Sequence, residues 1–136
     1  MRHTVVRIPG DGIGPEVTAA GCRILDAALE GTGSSIDWQD RHAGVSALEA
    51  GHSDLLPDET LESISKCGVA LKGPCTTPIG EGFSSVNVAL RKRLELFGAV
   101  RPVRSINGVS TRFDDVDLVV VRENTEGLYS GIENEI

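Results

Sequence analysis

Aromatic residues are scarce in this 136-residue chain, with one Trp, one Tyr and three Phe, and its thirteen Lys and Arg are outnumbered by twenty Asp and Glu. The resulting formal charge of -7 repels a polyphosphate backbone and excludes a general nucleic-acid binder. Long hydrophobic runs are missing too: the apolar stretch in MRHTVVRIPG is too short for a secretory signal and far too short for a membrane span. The three cysteines, Cys22, Cys67 and Cys75, form no C-x-x-C and are odd in number, which argues against a disulfide or zinc framework. They imply reduced thiols and a cytoplasmic location, or a comparable reducing compartment. His3, His42 and His52 lack the spacing of a ligand pair on one helix face and read as surface or packing residues. What is present suits a soluble globular domain, 40% apolar and 24% charged. Its few cations are also unevenly spread: Arg91, Lys92, Arg93, Arg101 and Arg104 fall within fourteen residues, a local concentration suited to a compact anion.

Thr4 to Ile8 is a β-branched run closed by Pro9-Gly10, the pattern of a buried strand and turn. After the loop GDGIGPE, Pro15 suits a first helical turn, and Val17, Ala20, Gly21, Ile24, Leu25 and Ala28 recur as one apolar stripe. A short strand over 36–41, a short helix over 45–50 and a helix over 57–66 follow, the last with early acids, a late Lys66 and Gly68 as its stop. Val69 to Leu71 leads into KGPCTTPIGEG, a Gly/Pro/Thr loop, and a helix starts near Ser84 or Ser85 with Leu90, Leu94 and Phe97 as its apolar stripe. Strands over 100–105 and 117–123 flank an Asn107-Gly108 turn. The unbroken Leu118-Val119-Val120-Val121 predicts a strand covered on both faces at the centre of a sheet. Alternating strands and helices give an α/β fold with at least partly parallel pairing.

Gly10, Gly12 and Gly14 follow the first strand as G-x-G-x-G-P, so the G-x-G-x-x-G fingerprint of a Rossmann fold is absent, and a tight strand-to-helix turn is the simpler reading. Asn87 and Arg91, four apart, share a polar stripe of their helix; Arg101 lies just past it and Arg122 near a strand's carboxyl end. Guanidinium forks bind carboxylates bidentately, so these groups together with a serine hydroxyl would suit a substrate with several carboxylates. Spacing serves a surface reading equally well, with the arginines paired to Glu95, Asp114 or Glu123. Tyr129, the only tyrosine, sits in ENTEGLYSG either as a packing residue or as a phenol placed for proton transfer.

Three segments in order, IPGDGIGPEV, LKGPCTTPIGEGFSSVNVALRKRLELFGAVRPVRS and DLVVVRENTEGLYSGIE, resemble the β-decarboxylating dehydrogenases of the isocitrate and isopropylmalate family over the whole chain. The resemblance implies an isopropylmalate dehydrogenase-like three-layer α/β/α fold, incomplete here, with residues 1–99 as part of the large domain and 100–136 as the start of the smaller inserted one. It implies substrate carboxylates held by Ser85, Asn87, Arg91, Arg101 and Arg122, proton donation by Tyr129 and a cofactor contact by Thr76. The Ser85-x-Asn87 pair and RENTEG are similar to isocitrate enzymes of the NAD-linked type, which oxidise and decarboxylate a tricarboxylate to 2-oxoglutarate. Polar groups before the helix suit a third carboxylate better than an alkyl group, because unpaired they would cost about 1 to 3 kcal/mol each. Homoisocitrate, one methylene longer, is a close competitor, isopropylmalate a more distant one, and a non-catalytic regulatory subunit is a reading from another class.

The resemblance further implies NAD or NADP as cofactor, Mg or Mn as the metal, and a homodimer or higher oligomer. A complete family member is well over twice this length, and the remainder carries the metal-binding aspartates, a catalytic lysine and the adenosine-binding loop. The chain therefore reads as the first part of a two-domain enzyme, inactive alone, with an unfinished sheet edge that favours aggregation.

Overall fold

The computed structural model describes residues 1–76, 85–127 and 130. The chain divides into two compact units, Met1–Leu90 and Arg91–Ile136.

In the first unit, β1 (Arg2–Ile8) leads through the glycine loop into α1 (Gly14–Leu29), then β2 (Ser35–Asp40), α2 (Val45–Glu49), α3 (Asp58–Cys67) and β3 (Ala70–Lys72). The sheet order is β2-β1-β3, with β1 parallel to both neighbours: Val5 pairs with Trp38, and Val6 with Ala70. Parallel neighbours need crossover connections, which α1 supplies on one side and α2 with α3 on the other. The described residues thus form a partial α/β fold. Its core gathers around Val6 and Ile8 of β1, both fully buried, with Cys22, Ala43, Ala47, Leu55, Leu56 and Leu61. Thr60, equally buried, satisfies its hydroxyl by donating to the His42 carbonyl at 2.9 Å.

Helix boundaries follow local chemistry. Pro15 occupies the first turn of α1, where a missing N–H costs nothing. α3 follows Pro57, carries Asp58 and Glu59 in its first turn and Lys66 in its last, and closes at left-handed Gly68, whose N–H bonds Ile64.

The face of α1 that packs inward is not the one its apolar stripe predicts. Gly14, Thr18 and Cys22 are buried, whereas Val17, Ile24 and Leu25 of the stripe are exposed. Small residues win the sheet side because the backbones meet so closely: a Cβ on Gly14 would lie 2.4 Å from the Pro9 carbonyl oxygen. Across the helix, Asp26 accepts a bond from the Trp38 indole at 3.1 Å and ties α1 to β2. Arg7 and Asp40 add a two-pronged ion pair between β1 and β2.

α4 (Val86–Arg93) spans the division between the units. It stops before Leu94, so the stripe expected over Leu90, Leu94 and Phe97 holds only at buried Leu90; Phe97 lies beyond the helix and is exposed. In the second unit, β4 (Gly98–Arg104) and β5 (Asp117–Glu123) form an antiparallel ribbon of seven residue pairs, from Gly98 opposite Glu123 to Arg104 opposite Asp117. The expectation of a central strand fails among the described residues. There β5 pairs with β4 alone, and Val119 and Val121 are 59% and 70% exposed. A continuous apolar run records that both faces suit burial, but it does not name what buries them.

Candidate functional site

Three loops meet at the carboxyl ends of the parallel strands, where open α/β sheets bind ligands. The loop after β1 turns at Gly10 and Gly12, both left-handed, with φ of +77° and +61°. It closes by a bond from the Gly14 N–H to the Asp11 carbonyl at 2.9 Å. The loop after β3 lies against it: Asp11 N–H donates to the Pro74 carbonyl at 3.0 Å, and a Cβ on Gly10 would stand 1.8 Å from that oxygen. The third loop, after β2, enters α2 through Gly44, which has no side chain to cap the helix.

Asp11 holds all three. One carboxylate oxygen accepts the backbone N–H of Thr76, and the other accepts that of Val45 at 2.7 Å. A carboxylate at the first N–H groups of α2 thereby supplies the missing cap. Burial alone would raise the Asp11 pKa, but hydrogen bonds from Thr76, Val45 and Ser46 outweigh it and hold the group below its ordinary value. A Cβ on Gly44 would lie 2.3 Å from the Asp11 carboxylate, so the approach requires glycine. Lys72 turns onto the Gly73 carbonyl at 2.6 Å and the Cys75 thiol at 3.5 Å. Cys75 is half-buried, and desolvation pushes its pKa up despite the nearby ammonium, which keeps the thiol protonated.

Thr76 is exposed at the rim of this cluster, close to Gly12. Ser85 is half-buried just before α4, and its carbonyl accepts the Ala89 N–H at 2.9 Å. Asn87 is exposed in the first turn of α4, and half-buried Arg91 follows one turn later on the same helix. In the ribbon, Arg101 pairs with Val120 and Arg122 with Ala99. Directly opposed residues share a face and alternate residues return to it, so Arg101 and Arg122 are diagonal neighbours on one face of the ribbon.

The surface reading pairs these arginines with nearby carboxylates, and among the described residues such pairs are few. Arg104 does pair with Asp117 at 3.0 Å, but neither Arg91 nor Arg101 has a carboxylate partner. Glu123, a candidate partner, spends one carboxylate oxygen on the N–H groups of Thr125, Asn124 and Glu126 and on the Thr125 hydroxyl. Those donors, Thr125 first, lower its pKa and fold the chain sharply after β5. Buried Asn124 bonds the Phe97 and Leu96 backbone, and Lys92 donates to the Ser130 carbonyl at 2.9 Å. Tyr129 lies outside the described residues.

Among the described residues, the two larger open concavities lie elsewhere and carry none of the predicted residues. One, of about 690 Å³, is lined by Arg2, Arg41, Lys66 and Glu62 among others, with Arg2 already paired to Asp37 and Arg41 bonded to Ser63. The other, of about 720 Å³, is mainly apolar and runs along Val103, Ile106, Val109, Phe113 and Leu118. Among the described residues no three His, Cys, Asp or Glu side chains come close enough to hold a metal ion.

A family model described as isocitrate/isopropylmalate dehydrogenase matches residues 4–136. The chain belongs to this family. It is 48% identical over 135 residues to isocitrate dehydrogenase (NAD) subunit alpha, mitochondrial, of Macaca fascicularis, covering 98% of this chain and 37% of that protein. It is 47% identical over 131 residues to isocitrate dehydrogenase (NADP) of Haloferax volcanii, covering 94% of this chain and 31% of that protein. The crystal structure of isocitrate dehydrogenase from Methylococcus capsulatus superposes with a TM-score of 0.83 at 48% identity, covering 98% of this chain and 38% of that one. The TT0538 protein from Thermus thermophilus gives 0.79 at 46% identity, covering 95% and 26%. The chain thus spans about a third of the length of the isocitrate dehydrogenases it matches. NAD-linked and NADP-linked relatives match it almost equally, so this segment of the isocitrate/isopropylmalate dehydrogenase family does not separate the two cofactors.

Asp11 is the organising residue that sequence reasoning passed over. Its partners are 34 and 65 positions away. The available signal was an acid between two glycines, together with a later helix that begins at Gly44 without a capping side chain of its own.

Proposed function

We propose that this chain is the N-terminal part of an isocitrate dehydrogenase that catalyses the oxidative decarboxylation of isocitrate to 2-oxoglutarate with reduction of NAD or NADP. The observation that carries the reading is the ribbon register, which sets Arg101 and Arg122 side by side on one face, with no carboxylate spent on Arg101 among the described residues. Two guanidinium forks at that spacing suit a polycarboxylate. Arg91, Arg101 and Arg122 neutralise and orient the substrate carboxylates, Ser85 and Asn87 position the distal one, and Tyr129 donates the proton that completes the product.

Thr76 offers a hydroxyl at the rim of a loop cluster whose one lysine is already turned inward. That donor set suits an uncharged carboxamide, as at the nicotinamide end of the nucleotide, better than a pyrophosphate. A nicotinamide held there would supply the acceptor for the substrate's hydride. The described residues do not fit Mg or Mn, so no step is assigned to a metal here. The test is Arg101→Ala in the complete enzyme that carries this segment. It is expected to raise KM for isocitrate and to lower kcat/KM about 100-fold or more. Unchanged kinetics would remove Arg101, and the register argument with it.

A further inference from the structure

The Asp11 carboxylate joins segments that are far apart in sequence, and its two oxygens are divided between two tasks. One accepts the Val45 N–H and caps α2, an element of the core region. The other accepts the Thr76 N–H, on an exposed residue whose side chain packs nothing in the core. The first bond serves an element of the core, and the second ties down the strand-end loop that carries Thr76. The second bond fixes the Thr76 backbone beside the carboxylate, and the Thr76 hydroxyl itself bears on the same carboxylate and helps to lower its pKa.

The same clamp is braced at the backbone. Asp11 N–H holds the Pro74 carbonyl at 3.0 Å, and Gly10, Gly44 and Gly73 stand at close approaches of the strand-end loops. A Cβ on Gly73 would lie 2.2 Å from the Thr18 hydroxyl and 2.3 Å from the Pro9 carbonyl, as close as those on Gly10 and Gly44 to their neighbours. With so little slack in the loops, the reach of Thr76 is set by the length of the Asp11 side chain.

We infer that Asp11 is a positioning residue, whose carboxylate, by binding the Thr76 N–H against the glycine loop and the α2 N-terminus, sets the Thr76 hydroxyl for the nicotinamide nucleotide. This rests on the reading that Thr76 meets the nucleotide. Asp11→Asn keeps the size of the side chain but replaces one accepting oxygen with an amide that cannot accept, so one of the two N–H groups is left without its partner.

The experiment compares the complete enzyme with its Asp11→Asn, Thr76→Val and doubly substituted forms, recording KM for the nucleotide, KM for isocitrate and the melting temperature of each. Asp11→Asn is expected to raise nucleotide KM roughly tenfold, as a displaced contact to a bound ligand does, with little change in KM for isocitrate. The double variant is expected to be no worse than the poorer single one, because both substitutions remove the same contact. If Thr76→Val raises nucleotide KM and Asp11→Asn lowers only the melting temperature, Asp11 is purely structural and the inference is overturned while the placement of Thr76 stands. If Thr76→Val leaves nucleotide KM unchanged, the placement of Thr76 fails and the inference falls with it. Should Asp11→Asn yield no folded enzyme, Asp11→Glu keeps the charge and both acceptors but lengthens the arm. It is expected to raise nucleotide KM in the same selective way, and an unchanged KM there overturns the inference.

Discussion

Gly10→Ala and Gly31→Ala form a matched pair that isolates the close approach between the loops after β1 and β3. The two glycines have nearly the same backbone, with φ of +77° and +76°, but a Cβ on Gly31 meets nothing within 4 Å while one on Gly10 lies 1.8 Å from the Pro74 oxygen. At either site a left-handed alanine costs roughly 1 to 2 kcal/mol, partly offset by about 0.4 to 1 kcal/mol because alanine leaves the unfolded chain fewer conformations. Gly31→Ala should therefore destabilise by about 0 to 1.6 kcal/mol. At Gly10 the Pro74 carbonyl must also retreat by about 1.2 to 1.6 Å to reach ordinary contact, an overpacking cost of roughly 1 to 3 kcal/mol. Losing the bond from Asp11 N–H to that carbonyl adds about 0.5 to 1.5 kcal/mol. The two variants should thus differ by about 2 to 4 kcal/mol, a large share of a typical stability of about 5 to 15 kcal/mol. Denaturant midpoints of the complete enzyme, with slopes checked for constancy, measure the difference. Variants that fall within about 0.5 kcal/mol of each other would show that the loops yield freely and refute the close-approach account.

Acid sensitivity should be traceable to Asp11 and Asp40. Asp40 is held below its ordinary pKa first by hydrogen bonding from Arg7, and Asp11 by its backbone and hydroxyl donors against the opposing effect of burial. Both are lower folded than unfolded, so their stabilisation is present above about pH 4, the unfolded value, and is lost as pH falls through the folded values. Melting temperature should drop as pH is lowered through that window, and less steeply in Asp11→Asn; equal slopes would contradict the assignment. Thr60→Val strips the His42 carbonyl of its buried donor and should cost about 1 to 3 kcal/mol in a denaturant titration. Lys92→Met removes the tie to the Ser130 carbonyl and should lower kcat by up to about tenfold with little change in melting temperature, since the bond is exposed. A large fall in stability with unchanged kcat would show the bond to be structural instead.

Elements that end on glycine or proline were legible before any coordinates. Pro9-Gly10 closes β1, Pro15 opens α1 and Gly68 closes α3, because these residues act on the backbone within a few positions of themselves. Partner choice was not legible. The stripe of Val17, Ile24 and Leu25 is regular, yet α1 packs through Gly14, Thr18 and Cys22, since how closely a helix approaches its sheet depends on the shape of both surfaces. Leu118 to Val121 is apolar enough for the middle of a sheet, but the run does not name its neighbours, and among the described residues β5 pairs with β4 alone. For the candidate site, the spacing of Asn87 and Arg91 anticipated their common helix. The face shared by Arg101 and Arg122 depends on a register that only the paired strands reveal.

The uncovered ribbon also bears on synthesis. Relatives run to nearly three times this length, and ribosomes add roughly 5 to 20 residues per second, so in a chain of that size several hundred bases of message remain to be read after β5 emerges. For those seconds Val100, Val103 and Leu118 to Val121 offer water two apolar faces and a pair of open strand edges. A nascent chain in that condition is open to edge-to-edge strand pairing until its remaining residues are made.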